Sequence, residues 1–378
     1  MAKENKKFML LSAIGIIMVI DAHTWGAFGI LTNYFPFNSF FMPMFVFISG
    51  YFNKIDQNTD LSKYTIKKFK TLMLPYFGIS IPAIFIDWLL KIFKTGTIPP
   101  LSFNYFLRSC GKVFTSGIIN DIVSPMWFVP MLFSVQIIYA LLKKALYKQW
   151  NSKTILIFFL TLHIYIVWYV KEYGVATYKL FLFKIIFFIP FIELGIIYRN
   201  VLEEKLKKIS PILLLSCLLL INMIRTMIMP SSYDIAFNSL FELSGFSSPY
   251  PITPMISSII GILFWLEIIE MIGSPLYGNR IINYISDNTF FIMGFHIIMF
   301  NLLNCILFII NKFIELPGFD IETFQGSNWY RWEHFPQFRY AYFLVGLFGS
   351  LALKQIYNRF IKKPVAGRMK VSAPAKQS

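Results

Sequence analysis

The chain has 378 residues, of which 56% are hydrophobic, 19% aromatic and only 14% charged, with a formal net charge of +16 and a mean hydropathy of +0.60. Soluble domains carry about 25% charged residues, so this composition excludes an ordinary soluble enzyme and points to a polytopic membrane protein. Cys110, Cys217 and Cys305 have neither metal-ligand spacing nor the density of a disulfide framework.

Apolar runs of near-spanning length recur from end to end. In chain order they predict ten transmembrane helices, at about 8–30, 36–53, 71–93, 125–147, 154–170, 178–198, 209–229, 252–272, 288–311 and 338–360. The first run is too long for a cleavable signal peptide, lacks a small-residue cleavage site and is followed by further spans. With the N-terminus inside, 24 Lys and Arg fall on inner segments and nine on outer ones. The positive-inside rule then puts both termini in the cytoplasm, and the basic charge is membrane-surface charge rather than a nucleic-acid footprint. The expected fold is therefore all-α and polytopic. It comprises one transmembrane domain, 1–363, and a disordered cytoplasmic tail, 364–378.

Three outer segments are long, about 94–124, 230–251 and 312–337. The middle one, "PSSYDIAFNSLFELSGFSSPYP", is rich in serine and aromatics and carries Asp234 and Glu242 but no Lys or Arg. Its composition suits sugar stacking as well as an ordinary loop.

Ionisable residues within spans are expensive and mark candidate functional sites. They are Asp21, His23, Asp87, His163, Lys184, Glu193, Arg225, Glu267, Glu270 and His296. Asp87 and Lys184 are expected to snorkel toward an interface. His163 is expected to be a packing histidine.

In "VIDAHTWG" the two ionisable groups, Asp21 and His23, are two positions apart, about 200° around a helix, and cannot pair on one face. An acid orienting His23 must come from another element; Glu193 and Glu242 both qualify, and Asp21 is free to bond a different helix. His23 suits a general base that takes a proton from a hydroxyl, in a site that excludes water and so favours transfer over hydrolysis. It equally suits a hydrogen-bonding contact between helices.

Six segments together resemble the acyltransferase-3 membrane proteins, which O-acylate surface glycans. They are "SAIGIIMVIDAH", "MPMFVFISGYF" with Ser49-Gly50, "KKFKTLMLPYF", "MWFVPMLFSVQIIY" with Trp127-Phe128, "FIELGIIYR", and "ISDNTFFIMGFHIIMF" reaching His296. The late "NWYRWEHF", with Arg331, resembles a motif of a polysaccharide-modifying subgroup. The resemblance implies an O-acyltransferase, in particular an O-acetyltransferase, in the cytoplasmic (inner) membrane. It would use cytoplasmic acyl-CoA, in particular acetyl-CoA, as donor and a cell-surface or lipid-linked glycan as acceptor, with no permanently bound cofactor or metal and no nucleic-acid partner. His23 would be the essential histidine and His296 the second, with Glu193 positioning or polarising. Arg331, Trp127, Ser49 and Arg225 are the candidate substrate contacts. The candidate contacts to the acyl-CoA are Lys67, Lys68 and Lys70.

One departure stands out. Where the family has Arg or Lys eleven residues before the histidine, this chain has Ser12. Eleven residues return within about 20° of the same helix face, about 16 Å away. Lys7 lies about 160° around and faces elsewhere, so a substitute cation would come from Lys67, Lys68 or Lys70. A catalytically degenerate member is one alternative; a glycan exporter or flippase component is another. No dinucleotide, P-loop or HExxH motif offers other chemistry.

Overall fold

The computed structural model describes residues 3–29, 39–56, 58–100, 102–146, 150–174, 177–228 and 251–359. The segment 230–250, with Asp234 and Glu242, and the tail 364–378 lie outside the described residues. Among the described residues the protein is helical with no strand.

Helix α1, Lys3–His23, is followed by the short α2, Phe41–Tyr51, and α3, Leu61–Lys68, which Asp60 caps by accepting from Lys63 N–H. A π-helical turn, Phe69–Met73, carries α3 without a break into α4, Leu74–Thr95. The run Leu61–Thr95 is therefore longer than the span predicted at 71–93. Lys67 and Lys70, which read as loop residues, lie on its exposed face. Gly96, at φ 70°, ends it in the left-handed conformation that favours glycine. The rest run α5, Phe103–Gly111; α6, Phe128–Leu146; α7, Ser152–Tyr173; and α8, Thr177–Ile197. After a second π turn, Tyr198–Leu202, come α9, Glu203–Leu206; α10, Pro211–Ile228; and α11, Thr253–Ile272. They end with α12, Arg280–Asp287; α13, Thr289–Asn311; α14, Ile321–Gly326; α15, Phe338–Leu344; and α16, Ser350–Tyr357.

A helix stands at each of the ten predicted places. Six helical runs among the described residues are long and apolar enough to cross a membrane: Leu61–Thr95, Asp121–Leu146, Ser152–Tyr173, Lys179–Leu206, Thr253–Ile272 and Thr289–Asn311. Two shorter apolar helices, Phe41–Tyr51 and Pro211–Met227, accompany them.

Packing follows the small residues. A Cβ on Gly50 of α2 would lie 2.2 Å from the Ile192 carbonyl oxygen, and one on Gly195 of α8 would lie 2.2 Å from that of Phe47. The α2 and α8 backbones therefore touch directly, as small residues allow in membrane helix pairs. A third π turn, Val345–Gly349, joins α15 to α16, and a Cβ on its Gly346 would meet the Phe300 ring of α13 at 2.5 Å. Helix α1 packs against α2, α11, α12 and α13, which brings its C-terminal end beside the middle of the chain's last long apolar helix.

Candidate active site

Helix α1 stops at His23, not near residue 30. The Asp21 carbonyl accepts from Thr24 N–H at 3.0 Å and Gly26 N–H at 2.9 Å. Trp25 takes φ 59°, unusual for a residue with a side chain. The Asp21 carboxylate closes the turn, accepting from Phe28 N–H at 3.0 Å and Gly29 N–H at 3.3 Å. Asp21 thus bonds its own turn rather than another helix. It fixes the end of α1 on which His23 sits.

His23 meets His296 of α13. The His23 Nδ1 to His296 Nε2 distance is 3.0 Å, and the rings stack with centroids 5.0 Å apart. His296 is fully buried, and its Nδ1 lies 2.9 Å from the Ile292 carbonyl oxygen, one turn back. A carbonyl only accepts, so His296 Nδ1 carries the proton, and in the neutral ring that this fully buried site favours Nε2 is an acceptor. His23 Nδ1 must then donate to it, which leaves the lone pair on His23 Nε2. The partner that orients His23 is therefore a neutral histidine. His23 is only half-buried.

The third component comes from the segment between α14 and α15. Trp329 stands with its ring centroid 5.5 Å from that of His23, and 41% of it is exposed. Arg331 is buried with its guanidinium carbon 4.3 Å from the Phe300 ring centroid, 5.6 Å from that of Tyr342 and 5.9 Å from that of Trp329. Its Nη1 donates to the Tyr330 carbonyl at 2.6 Å; Nε and Nη2 are buried without a partner among the described residues. Burial pushes its guanidinium down to about 10, leaving it protonated at neutral pH.

His296, Phe300 and Asn304 lie at i, i+4 and i+8, one stripe of α13, and the stripe explains how the segment is held. Asn304 donates to the Tyr330 carbonyl at 2.8 Å and accepts from the Tyr342 hydroxyl. Asn301 donates to the Asn328 carbonyl at 2.9 Å. Lys94 of α4 donates to Asn301 Oδ1 at 2.8 Å, the Ser327 carbonyl at 3.0 Å and Asn328 Oδ1 at 3.2 Å. Asp87 accepts from Asn328 at 2.6 Å and Asn120 at 3.1 Å, and pairs with Lys91 at 2.8 Å. Asp87 therefore does not snorkel; it is a buried acceptor that anchors the segment. Nothing in local periodicity announces this network. Its one visible signal is a pair of asparagines, Asn301 and Asn304, three apart in an otherwise apolar helix.

The other candidates lie apart from the histidines. Glu193 accepts from the Tyr139 hydroxyl and lies 3.5 Å from Lys143 Nζ, with its second oxygen buried and unpartnered. Ser49 accepts from Gln136 of α6. These residues form a second polar cluster between α2, α6 and α8. The Trp127 ring packs under Lys184, whose fully buried Nζ lies 4.1 Å from its centroid; Lys184 does not snorkel either. Arg225 donates to Asn222 at 2.8 Å. Lys67 and Lys70 are exposed, and Lys68 sits 5.4 Å over the Tyr64 ring. Lys7 is buried and turned away from the site, 3.3 Å from both Glu270 and the Tyr198 hydroxyl and 3.9 Å from Glu203. His163 is buried with Nδ1 2.8 Å from the Phe187 carbonyl, a helix-to-helix contact.

The family signature described as an acyltransferase domain, that of acyltransferase-3, matches residues 7–319. The chain belongs to the acyltransferase-3 family. No curated protein and no solved structure gives a significant match. Both site histidines fall inside the acyltransferase-3 match. Trp329, Arg331 and Tyr342, which wall the same site, fall beyond its end.

Proposed function

We propose that this acyltransferase-3 protein moves an acyl group, acetyl in the simplest case, from cytoplasmic acyl-CoA to a hydroxyl of a cell-surface or lipid-linked glycan. The single observation that carries the reading is the His23–His296 pair: one imidazole held by a second, its remaining nitrogen free at a partly open position. That is the arrangement of a base with an orienting partner. His23 Nε2 takes the proton of the acceptor hydroxyl. The freed oxygen attacks the thioester carbonyl, the C–S bond breaks, and the CoA sulfur leaves with the proton that His23 carried. His296 Nε2 accepts from Nδ1–H throughout and holds the ring as it becomes cationic. Arg331 binds the acceptor beside the base.

The remaining roles follow the same division. Ten spans with both termini in the cytoplasmic face of the inner membrane put Lys67, Lys68 and Lys70 where CoA phosphates arrive. These lysines take the place of a cation at position 12. Trp127, Ser49 and Arg225 contact the substrates away from the histidine pair, and Glu193 positions the α2–α6–α8 wall. The test is acyl transfer from radiolabelled acetyl-CoA by the full chain in nanodiscs, with His23→Ala as the variant. Transfer at the wild-type rate by a folded variant overturns the mechanism.

A further inference from the structure

Arg331 carries a positive charge into an aromatic pocket without a counter-ion among the described residues. Its guanidinium faces Phe300, Tyr342 and Trp329. The neighbouring Glu333 pairs with Arg339 at 3.5 Å instead. Nε and Nη2, buried and unpartnered, form one edge of the guanidinium fork. Such an edge matches the two oxygens of a carboxylate or phosphate. A buried charge left in this state is unfavourable until an anion completes it. The edge is also held still, because Tyr330 on one side is fixed by Asn304 and Trp332 on the other donates its N–H to the Tyr342 hydroxyl at 2.9 Å. Preorganised donors of this kind mark binding sites rather than accidental packing.

The position of the edge selects the ligand. Trp329 presents an exposed ring next to His23, and flat aromatic faces take the apolar face of a sugar ring. A thioester at His23 leaves the phosphates of its CoA a full pantetheine arm away, so an anion beside the histidine pair belongs to the acceptor. We propose, building on the transferase reading above, that the acceptor is an acidic glycan. Its carboxylate or phosphate is bound by Arg331 and its ring is stacked on Trp329, which presents a neighbouring hydroxyl to His23.

Isothermal titration of the full chain in nanodiscs tests this with three probes: an oligogalacturonate, the same oligomer after carboxyl reduction, and a phosphodiester-bearing mannan oligomer. An anionic probe is expected to bind about tenfold more tightly than the reduced one, and whichever anionic probe does so identifies the source of the charge. Arg331→Gln is expected to bind all three like the neutral oligomer, while Trp329→Ala weakens all three alike and keeps their ratio. Wild-type protein that does not discriminate, or R331Q that still does, overturns the proposal. Should R331Q not fold, Arg331→Lys decides: a preference reduced at least threefold supports the fork, and an undiminished one overturns it. The two readings fail separately. An Arg331-dependent preference without acyl transfer sinks the transferase reading alone. Transfer to the neutral oligomer that ignores Arg331 sinks only the acidic acceptor.

Discussion

Two polar clusters sit inside this apolar chain, and they differ in what they leave open. In the α2–α6–α8 cluster, Tyr139 and Lys143 bond Glu193 and Gln136 bonds Ser49, Glu193 Oε1 and Gln136 Oε1 are buried without a partner among the described residues, and two helix backbones seal the junction at Gly50 and Gly195. In the α1–α13 cluster, a half-buried His23 and a partly exposed Trp329 ring lie beside the buried Arg331, whose Nε and Nη2 have no partner among the described residues. A cluster walled in by touching helix backbones holds helices together. A cluster that is rigid behind and unsatisfied in front binds something. The contrast teaches that counting ionisable residues in spans finds both kinds, and so do their unused valences, whereas the exposure of the neighbouring groups separates them.

The largest effect should come from removing the base. His23→Ala is expected to lower acyl transfer about 10²–10⁴-fold, measured as radiolabel incorporated from acetyl-CoA, with little change in thermal stability because His23 is only half-buried. An equally large loss from Glu193→Gln would move the chemistry to the other cluster and break the comparison. His296→Phe removes the acceptor for His23 Nδ1–H but keeps a ring in the space. It should cost about 10²-fold through misplacement of the base, with acceptor binding retained.

Opposite behaviour is expected at the sealed junction. Gly195→Ala drives a methyl into the Phe47 carbonyl and should destabilise the protein by about 3 kcal/mol, seen as a lowered melting temperature and poor recovery in detergent. Transfer per folded molecule should stay near wild type. A stable G195A would mean that α2 and α8 do not pack backbone to backbone.

These expectations show how much was legible from residues alone. Helices fall where apolar runs predict them, because length and composition dictate a span. His23 and His296 stood out because a histidine in such a run is rare. Their pairing was not legible, since α1 and α13 are 273 positions apart and no local pattern encodes which helices become neighbours. The end of α1 was mispredicted for a related reason: apolarity continues past His23, but Asp21 turns the backbone through its own carboxylate and carbonyl. Asp87 and Lys184 were misread because snorkelling assumes that a charge must reach water. Asp87 instead finds Asn120, Asn328 and Lys91, and Lys184 finds an indole face. Trp329 lies in the quoted "NWYRWEHF" but does not stand out there, being one aromatic in a chain where 19% of residues are aromatic.

The smallest of these effects concerns what holds the open cluster open. From the end of α4, Lys94 ties two groups of the Ser327–Arg331 segment, the Ser327 carbonyl and Asn328 Oδ1, to Asn301 Oδ1 of α13. Lys94→Met keeps the stem's packing and deletes all three bonds, leaving Asn301 Oδ1, the Ser327 carbonyl and Asn328 Oδ1 short of a donor. A hydrogen bond from a charged donor is worth about 1.5–3 kcal/mol net, but removing the buried ammonium relieves its desolvation cost, so a destabilisation of about 1–3 kcal/mol is expected. Lys94 touches neither histidine, so the base itself should stay intact. Transfer should fall severalfold through weaker acceptor binding, a rise in acceptor KM with kcat nearly unchanged. A fall in kcat alone would place Lys94 nearer the reacting atoms than its bonds do. Unchanged kinetics in a destabilised protein would mean that the segment keeps its shape without the lysine, and that the rigidity behind Trp329 and Arg331 comes from Asn301 and Asn304.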